Sequence, residues 1–373
     1  MNYFFIVIAF FIAVFMGWII TPQILLVAFR KRLFDAVDGR KIHTGIIPRL
    51  GGVAFAPIQC CLLALSMFFM YKFDLSFSVL SPSLIFPQFL LLMCGLVILF
   101  MIGIMDDLIG VDYRRKFAIQ VIAASLLPLS GLWINDLYGL VGVTALSPWI
   151  GMPLTVFVVV FIVNAINLID GIDGLCSGLS AMACIILGCL FAYNEAWLYA
   201  IFAFITTGVL ISFFYYNVFG MLKSKQRIFM GDTGSLTLGL SVSFLAISYA
   251  MNNPSIKPFS EGAIVVSYAV LIVPVFDVVR VVWLRFRSHQ PLFMPDRNHI
   301  HHKFLRMGIS HHITMILILI LALCFSLFNI IAVEYISNNI VLLVDIVSWI
   351  GFHLWLDRIE VTQLETKMSK QLK

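Results

Sequence analysis

The stretch FPQFLLLMCGLVILFMIGIM, residues 86–105, carries no charged side chain and runs directly into Asp106-Asp107. As an α-helix its twenty residues rise about 30 Å, the thickness of a bilayer's hydrocarbon core. Polarity does not alternate along it, as it would in a strand of an outer-membrane barrel. The same character recurs on both sides. Charge-free stretches cover 1–29, 50–71, 75–105, 117–135, 137–169, 174–194, 196–222 and 233–256. Of 373 residues, 61% are hydrophobic and 12% charged, where a soluble domain carries about a quarter charged. A soluble enzyme of this composition would expose far too much apolar surface. A disordered chain and a disulfide scaffold are excluded with it. The seven cysteines lie in or beside apolar runs, without metal or disulfide spacing, and read as small buried hydrophobes. The fold class is therefore an all-α integral membrane protein.

Spans are expected at 3–28, 50–71, 86–105, 117–134, 149–168, 175–192, 196–216, 233–251, 262–282, 312–333 and 338–356, eleven in all. The first is not read as a cleavable signal, because no Lys or Arg precedes it and Arg30-Lys31-Arg32 follow it. Eleven crossings sort the loops into two alternating sets. One set takes all but two of the 24 Lys and Arg, leaving only Lys72 and Lys257 to the other. Basic loops stay in the cytoplasm, so the amino terminus is expected outside and the carboxyl terminus inside. No linker or internal repeat divides the chain. We read residues 1–373 as one polytopic domain, with motifs between about 41 and 308 and a charged cytoplasmic tail at 357–373.

The polar clusters fall on the basic side. They are Lys41, His43 and Pro48-Arg-Leu-Gly-Gly52; Asp106-Asp107 with Lys116; Asn164-Ala-Ile-Asn167-Leu-Ile-Asp170-Gly-Ile-Asp173-Gly; Phe229-Met-Gly-Asp232-Thr-Gly-Ser235; and Asp296-Arg297-Asn-His299-Ile-His301-His302. The other side holds little beyond Asp74, Asp136, Glu195 and Glu261. This asymmetry argues for a cytoplasmic site rather than a conduit.

Each cluster also has a plain structural reading. Asp106-Asp107 could be a solvated helix end, although two acids there repel each other and oppose the helix dipole unless a metal or Lys116 offsets them. Asp170 and Asp173 could sit on an interfacial turn. Asp232 or Thr233 could simply cap the following helix, an end that also favours anions and can hold Mg²⁺ beside phosphates. His299 and His302 have the i, i+3 spacing of a zinc pair but lack an intervening Glu or nearby Cys. Two acids lie inside expected spans: Asp277 can pair with Arg280, while Asp345 shows no partner in the sequence. Carboxylates, Mg²⁺ and basic residues at a lipid boundary suit phosphoryl transfer between a soluble nucleotide-linked donor and a lipid phosphate. A transporter is the rival of another class, and it would need polar groups near the midplane with access from both sides.

With these five segments in this order, the sequence resembles the polyprenyl-phosphate N-acetylhexosamine-1-phosphate transferases. The resemblance implies transfer of a sugar 1-phosphate from a UDP-amino sugar to undecaprenyl phosphate, with release of UMP and a requirement for Mg²⁺, with Mn²⁺ as the alternative. His-Ile-His-His at 299–302, in place of three adjacent histidines, resembles the branch using UDP-GlcNAc to begin O-antigen, common antigen or teichoic acid synthesis. Other UDP-amino sugars (QuiNAc, FucNAc, GalNAc, MurNAc-pentapeptide) are the alternatives. Matched position implies Asp232 as metal ligand with Asn167 as helper. It implies Asp173 and Phe229 as nucleoside contacts with Asp170 beside them. His299, Arg297, His301 and His302 are then the grip on the pyrophosphate. Asp106 is implied as the base, Asp107 as its partner and Lys116 as the cation for the acceptor. Arg114 and Arg115 beside Lys116 are alternative cations, and Lys41 and His43 are implied substrate contacts. Direct in-line attack is preferred, since no step demands a protein nucleophile. The implied setting is a bacterial plasma membrane, with the bilayer as partner, no nucleic acid, and a homodimer left open.

Overall fold

The helix that begins at Gly231 is the least apolar of the spanning helices and the most deeply buried. Both facts have one cause: it faces protein rather than lipid, so it can carry hydroxyls where its neighbours carry Leu and Phe. In the computed structural model, residues 2–31, 33, 48–73, 75, 82–220, 228–290 and 298–371 are described. The helices are α1 (Asn2–Lys31), α2 (Phe55–Lys72, entered by a 3₁₀ turn at Gly51–Ala54), α3 (Pro82–Ile109), α4 (Tyr113–Leu129), α5 (Pro148–Ile169), α6 (Leu175–Tyr193), α7 (Trp197–Phe214), α8 (Gly231–Ala250), α9 (Ala263–Ala269), α10 (Ile272–Arg287), α11 (Ile300–Arg306), α12 (His311–Ala332) and α13 (Asn338–Gln371).

Every residue of α8 from Thr233 to Ala250 is buried. Its polar side chains are satisfied within the helix: Thr237, Ser241, Ser243 and Ser248 each donate to the carbonyl four residues back. Gln59 of α2 reaches across to Thr206 of α7 at 2.9 Å and Ser241 at 3.0 Å, tying three helices with one amide. By contrast α1 buries only a stripe of mostly small residues, Ala9, Ala13 and Gly17 among them, where it lies against α7. Its other faces hold Phe4, Phe11 and Phe15 outward, as a lipid-facing helix should.

Among the described residues nine helices are long and apolar enough to cross a membrane, or ten if α9 and α10 form one bent span. The expected eleven is therefore not reached on these terms, the remaining segment being α4 with 17 residues. The expected single helix at 262–282 is broken by 75° between α9 and α10. Pro274 explains the position. It lacks an N–H and fits only a first turn, so the helix restarts just before it. At its carboxyl end α13 continues to Gln371, well past the expected 356.

At the end of α4 and α5 far from Asp106 stands a small antiparallel hairpin, which the sequence reading did not anticipate. Strand β1 (Asp136–Leu140) pairs with β2 (Val143–Ala145) through a turn with positive φ at both Val141 and Gly142. A β-branched residue is strained there. Asn339 at the start of α13 holds the turn, accepting from Val141 N at 2.7 Å and donating to Gly139 O at 2.9 Å. The cysteines also depart from expectation. Cys176 and Cys184 are buried in protein, whereas Cys61, Cys94, Cys189 and Cys324 lie on exposed helix faces. Asp345, without a partner in the sequence, accepts from Tyr268 at 2.9 Å and Asn329 at 3.0 Å, joining α9, α12 and α13.

Lys257, between α8 and α9, is 2% exposed. Its ammonium sits 4.8 Å from the Tyr249 ring centroid and donates to Pro258 O at 3.3 Å, with no ion pair among the described residues. Burial pushes its pKa down to about 8. A base whose folded pKa is depressed disfavours the fold below that value, and stability rises from about pH 8 to the unfolded pKa near 10.5. The desolvation cost is on the order of 3 kcal/mol at neutral pH, partly offset by the ring contact at about 1–2 kcal/mol. Lys257→Met is therefore expected to raise the melting temperature at pH 7, with the gain shrinking as pH approaches 10.5. A melting curve lowered by the substitution at pH 7, or a difference independent of pH, would contradict this.

Candidate active site

The amino end of α8 and the carboxyl ends of α3 and α5 meet, and the meeting is built by backbone. Pro48 O accepts from Phe229 N at 2.9 Å, while Gly51 N and Gly52 N donate to Phe229 O and Met230 O at 2.9 Å each. A Cβ placed on Gly52 would lie 2.1 Å from Gly234 Cα, so only glycine allows the two chains to touch. The Pro48–Gly52 segment thus fixes where α8 starts.

Asp107 completes that start. Its two carboxylate oxygens accept from Asp232 N at 2.8 Å, Thr233 N at 2.9 Å and Thr233 Oγ1 at 2.6 Å. A side chain from α3, rather than the local Asp232 or Thr233 considered from sequence, therefore caps α8. Its oxygens are engaged, and its task here is to hold Asp232 in place.

Asp106 points the other way. Oδ1 accepts from Val111 N at 2.7 Å, and Oδ2 meets Lys116 Nζ at 2.8 Å. The same ammonium lies 2.9 Å from Asp232 Oδ2. Asn167 of α5 donates to Asp232 Oδ1 and, at 2.8 Å, to Ser235 Oγ. Burial pulls the Lys116 pKa down, but the carboxylates of Asp232 and Asp106 outweigh it and hold the group above its usual range. Four residues singled out by sequence thus form one cluster: two carboxylates converge on a single cation, with an amide on the far oxygen. Among the described residues no three or more His, Cys, Asp or Glu side chains form a closed metal cage. The carboxylates of Asp232 and Asp106 are the kind of oxygen ligands that would suit Mg²⁺, which usually takes one or two carboxylates and completes its shell with water and phosphate oxygens; the Asn167 NH₂ faces Asp232 and orients its carboxylate.

Asp170 caps the end of α5, and Asp173 follows on the glycine-rich turn. Asp170 is exposed as a residue, while its carboxyl is surrounded by protein atoms. That burial, with Asp173, Asp232 and Asp107 nearby, pushes it up to about 7. Asp170, Asp173, Asp232 and Asp107 thus gather at this end of the helices, with Arg49 near Asp170 as a partial counter-charge. Asn217 links this turn to the strand-like approach of α8. It accepts from Gly174 N at 2.6 Å and donates to Asp173 at 3.3 Å and to Ile228 O at 2.9 Å. It sits in a π-helical turn, Tyr215–Phe219, that ends α7. Sequence reading missed Asn217, since a lone Asn in an aromatic run gives no signal of a π-turn.

The histidine segment is held by Asp277 of α10. Its carboxylate contacts His299 Nδ1 at 2.8 Å and accepts from Ile300 N at 3.0 Å and Arg280 at 3.0 Å. The expected pairing with Arg280 is present, and the link to His299 is additional. His301 is buried, neither ring nitrogen having a hydrogen-bond partner among the described residues, and burial together with His302 pushes its pKa down to about 3, so its ring is neutral. It abuts the Asp170–Asp173 turn: a Cβ on Gly171 would lie 2.2 Å from His301 Nε2. His302 is adjacent, its ring centroid 4.2 Å from that of His301. Lys41, His43 and Arg297 lie outside the described residues.

Residues 89–250 match the family model for glycosyl transferase family 4. The chain is 31% identical over 325 residues to the Bacillus subtilis protein named "Probable undecaprenyl-phosphate N-acetylglucosaminyl 1-phosphate transferase", an alignment covering 86% of this chain and 83% of that one. Proteins named undecaprenyl-phosphate alpha-N-acetylglucosaminyl 1-phosphate transferase are 29% identical in Salmonella typhi, covering 79% of this chain and 75% of that one, and 25% identical in Yersinia pestis, covering 82% and 78%.

Proposed function

The chain belongs to the undecaprenyl-phosphate N-acetylglucosaminyl 1-phosphate transferases of glycosyl transferase family 4, and from that premise we propose that it moves GlcNAc-1-phosphate from UDP-GlcNAc to undecaprenyl phosphate and releases UMP. The lipid product would start a cell-surface polysaccharide of O-antigen, common antigen or teichoic acid type. One observation carries the site assignment: the Lys116 ammonium is shared by Asp106 and Asp232 at the amino end of α8, beside the Asn167 amide.

In this reading an acceptor phosphate oxygen attacks the sugar-bearing phosphorus of the donor in line. The new P–O bond forms as the bridging P–O bond to the uridine-linked phosphate breaks, and UMP leaves with that oxygen. Asp106 takes any proton remaining on the acceptor phosphate, and Lys116 pairs with that phosphate. Asp107 keeps Asp232 N and Thr233 N from turning away. Asp232, helped by Asn167, would hold Mg²⁺, which supplies charge neutralisation at the phosphates. Asp173 and Phe229 take the uridine, with Asp170 beside them. His299, His301 and His302 take the pyrophosphate by hydrogen bonds, Asp277 fixing the tautomer and aim of His299. The distribution of basic loops supports a cytoplasmic site, with the amino terminus outside.

Protein purified in detergent is expected to release UMP from UDP-GlcNAc only when both a polyprenyl phosphate and Mg²⁺ are present, with chromatography of the lipid product identifying the sugar across a panel of UDP-amino sugars. Absence of UMP with every donor would overturn the reading. Extramembrane cysteine labelling beside Asp106 and His299 that reports opposite faces would do the same.

A further inference from the structure

We propose that the cytoplasmic extension of α13 is a positioning element for the histidine segment, acting through Asp357 and Glu360. This rests on the reading of that segment as the donor's pyrophosphate grip. From sequence alone, residues 357–373 are expected to be a charged cytoplasmic tail. Helix α11, which follows His299, has only seven residues. A helix this short does not hold its own geometry in water, because nucleation costs more than two turns return. Its direction is therefore set by what it packs on, α12 and α13, and by what holds its two ends. At the amino end Asp277 accepts from Ile300 N and contacts the His299 ring. At the carboxyl end Lys303 Nζ lies 2.5 Å from Asp357 Oδ1, and Arg306 Nε lies 2.6 Å from Glu360 Oε1.

The spacing is i, i+3 on both helices, so the two ion pairs form rungs in register, and a one-residue slip of either helix would break both. Just before the rungs on α13, Phe352 packs beside Phe304 and Leu356 is buried. Lys303 is nearly buried, its side chain 7% exposed, while the Asp357 side chain is 53% exposed. Exposed ion pairs contribute little as pairs. Reversing the acidic partner is a different matter, because it places a like charge against an ammonium that cannot retreat into water. His301 and His302 sit between the two anchors. A tilt of α11 carries His301 off Gly171, where the fit tolerates no added Cβ.

The test compares wild type with Asp357→Lys/Glu360→Lys and with the full swap that adds Lys303→Glu/Arg306→Glu. For the acid reversal, the KM for UDP-GlcNAc is expected to rise about tenfold, with kcat and the KM for polyprenyl phosphate changed less than about twofold. The full swap is expected to recover most of the loss. Hydrogen–deuterium exchange supplies a readout that needs no turnover: amides of 299–306 are expected to exchange faster in the acid reversal and at the wild-type rate in the swap, with α12 unchanged in both. If the reversal does not purify folded, Asp357→Asn/Glu360→Gln takes its place, with a donor KM raised about threefold. Unaltered exchange in 299–306, equal changes in both KM values, or no recovery on swapping would overturn the proposal. A wild type inactive on every UDP-sugar but with the expected exchange pattern would instead count against the functional reading alone.

Discussion

Asp232→Asn is expected to reduce UMP release on the order of 10³-fold and to abolish divalent-cation binding, while leaving the melting temperature within a few degrees of wild type. The substitution is nearly isosteric. The main-chain N–H of residue 232 still reaches Asp107, so the cap of α8 survives. What is lost is charge at the point where Lys116 and Asn167 converge. A neutral amide oxygen binds Mg²⁺ far more weakly than a carboxylate, and the NH₂ of residue 232 would face the Lys116 ammonium or the Asn167 NH₂. Mn²⁺ titration followed by electron paramagnetic resonance reads the metal directly, and product analysis reads turnover. Asp107→Asn separates the two neighbouring carboxylates by the opposite pattern. It removes one acceptor from three bonds at the start of α8, so stability falls by about 1–2 kcal/mol. Wild-type turnover or undiminished Mn²⁺ binding in Asp232→Asn would remove the residue from the metal site.

The run at 86–105 already determined the fold class, because a charge-free helix of bilayer length has no other stable setting. Which helix lies at the centre was not legible. Hydropathy measures transfer into lipid, and α8 is transferred into protein, so its Ser, Thr and Gly content lowers the very signal that marks a span. The break before α10 was legible in principle, since Pro274 stands alone in a run otherwise suited to one helix. The hairpin was not: Val141 at positive φ contradicts local propensity and depends on Asn339, 198 residues away.

At the candidate site the residue types were legible and their division of labour was not. Adjacent Asp106 and Asp107 look equivalent in the sequence. The structure gives one to Lys116 and the other to α8, because successive residues near a helix end point in different directions. Asp107 meets Thr233 across 126 residues, a pairing that no local spacing encodes. The Pro48–Gly52 segment has the same character: its backbone pairs with Phe229 and Met230, a role that residue chemistry alone cannot suggest. Asp277 was correctly matched with Arg280 one turn away. Its contact with His299 joins residues 22 apart in the chain, a pairing that helical periodicity does not specify.

The charge shared within the cluster leads to a second large effect, and here two measurements are expected to move in opposite directions. Lys116 is the resident counter-ion of Asp106 and Asp232, at 2.8 and 2.9 Å, with only 16% of its side chain exposed. A divalent cation seeking those carboxylates therefore competes with the ammonium. At an effective dielectric near 20, one such pair is about 6 kcal/mol before desolvation is subtracted, and desolvation reduces the net change to about 1–2 kcal/mol. Lys116→Met keeps the stem and removes the charge. Mn²⁺ should then bind the substrate-free protein about tenfold more tightly. Turnover should nevertheless fall by about 10²-fold, since the cation that would meet the acceptor phosphate is gone. The loss should appear mainly with the lipid substrate, and Lys116→Arg should recover part of it. In wild type the same competition predicts that Mg²⁺, by drawing the carboxylates to itself, frees the ammonium and strengthens binding of a short-chain polyprenyl phosphate, an enhancement that Lys116→Met should lack. Unchanged or weaker Mn²⁺ binding in that variant would mean that the ammonium and the metal do not contend for the same oxygens.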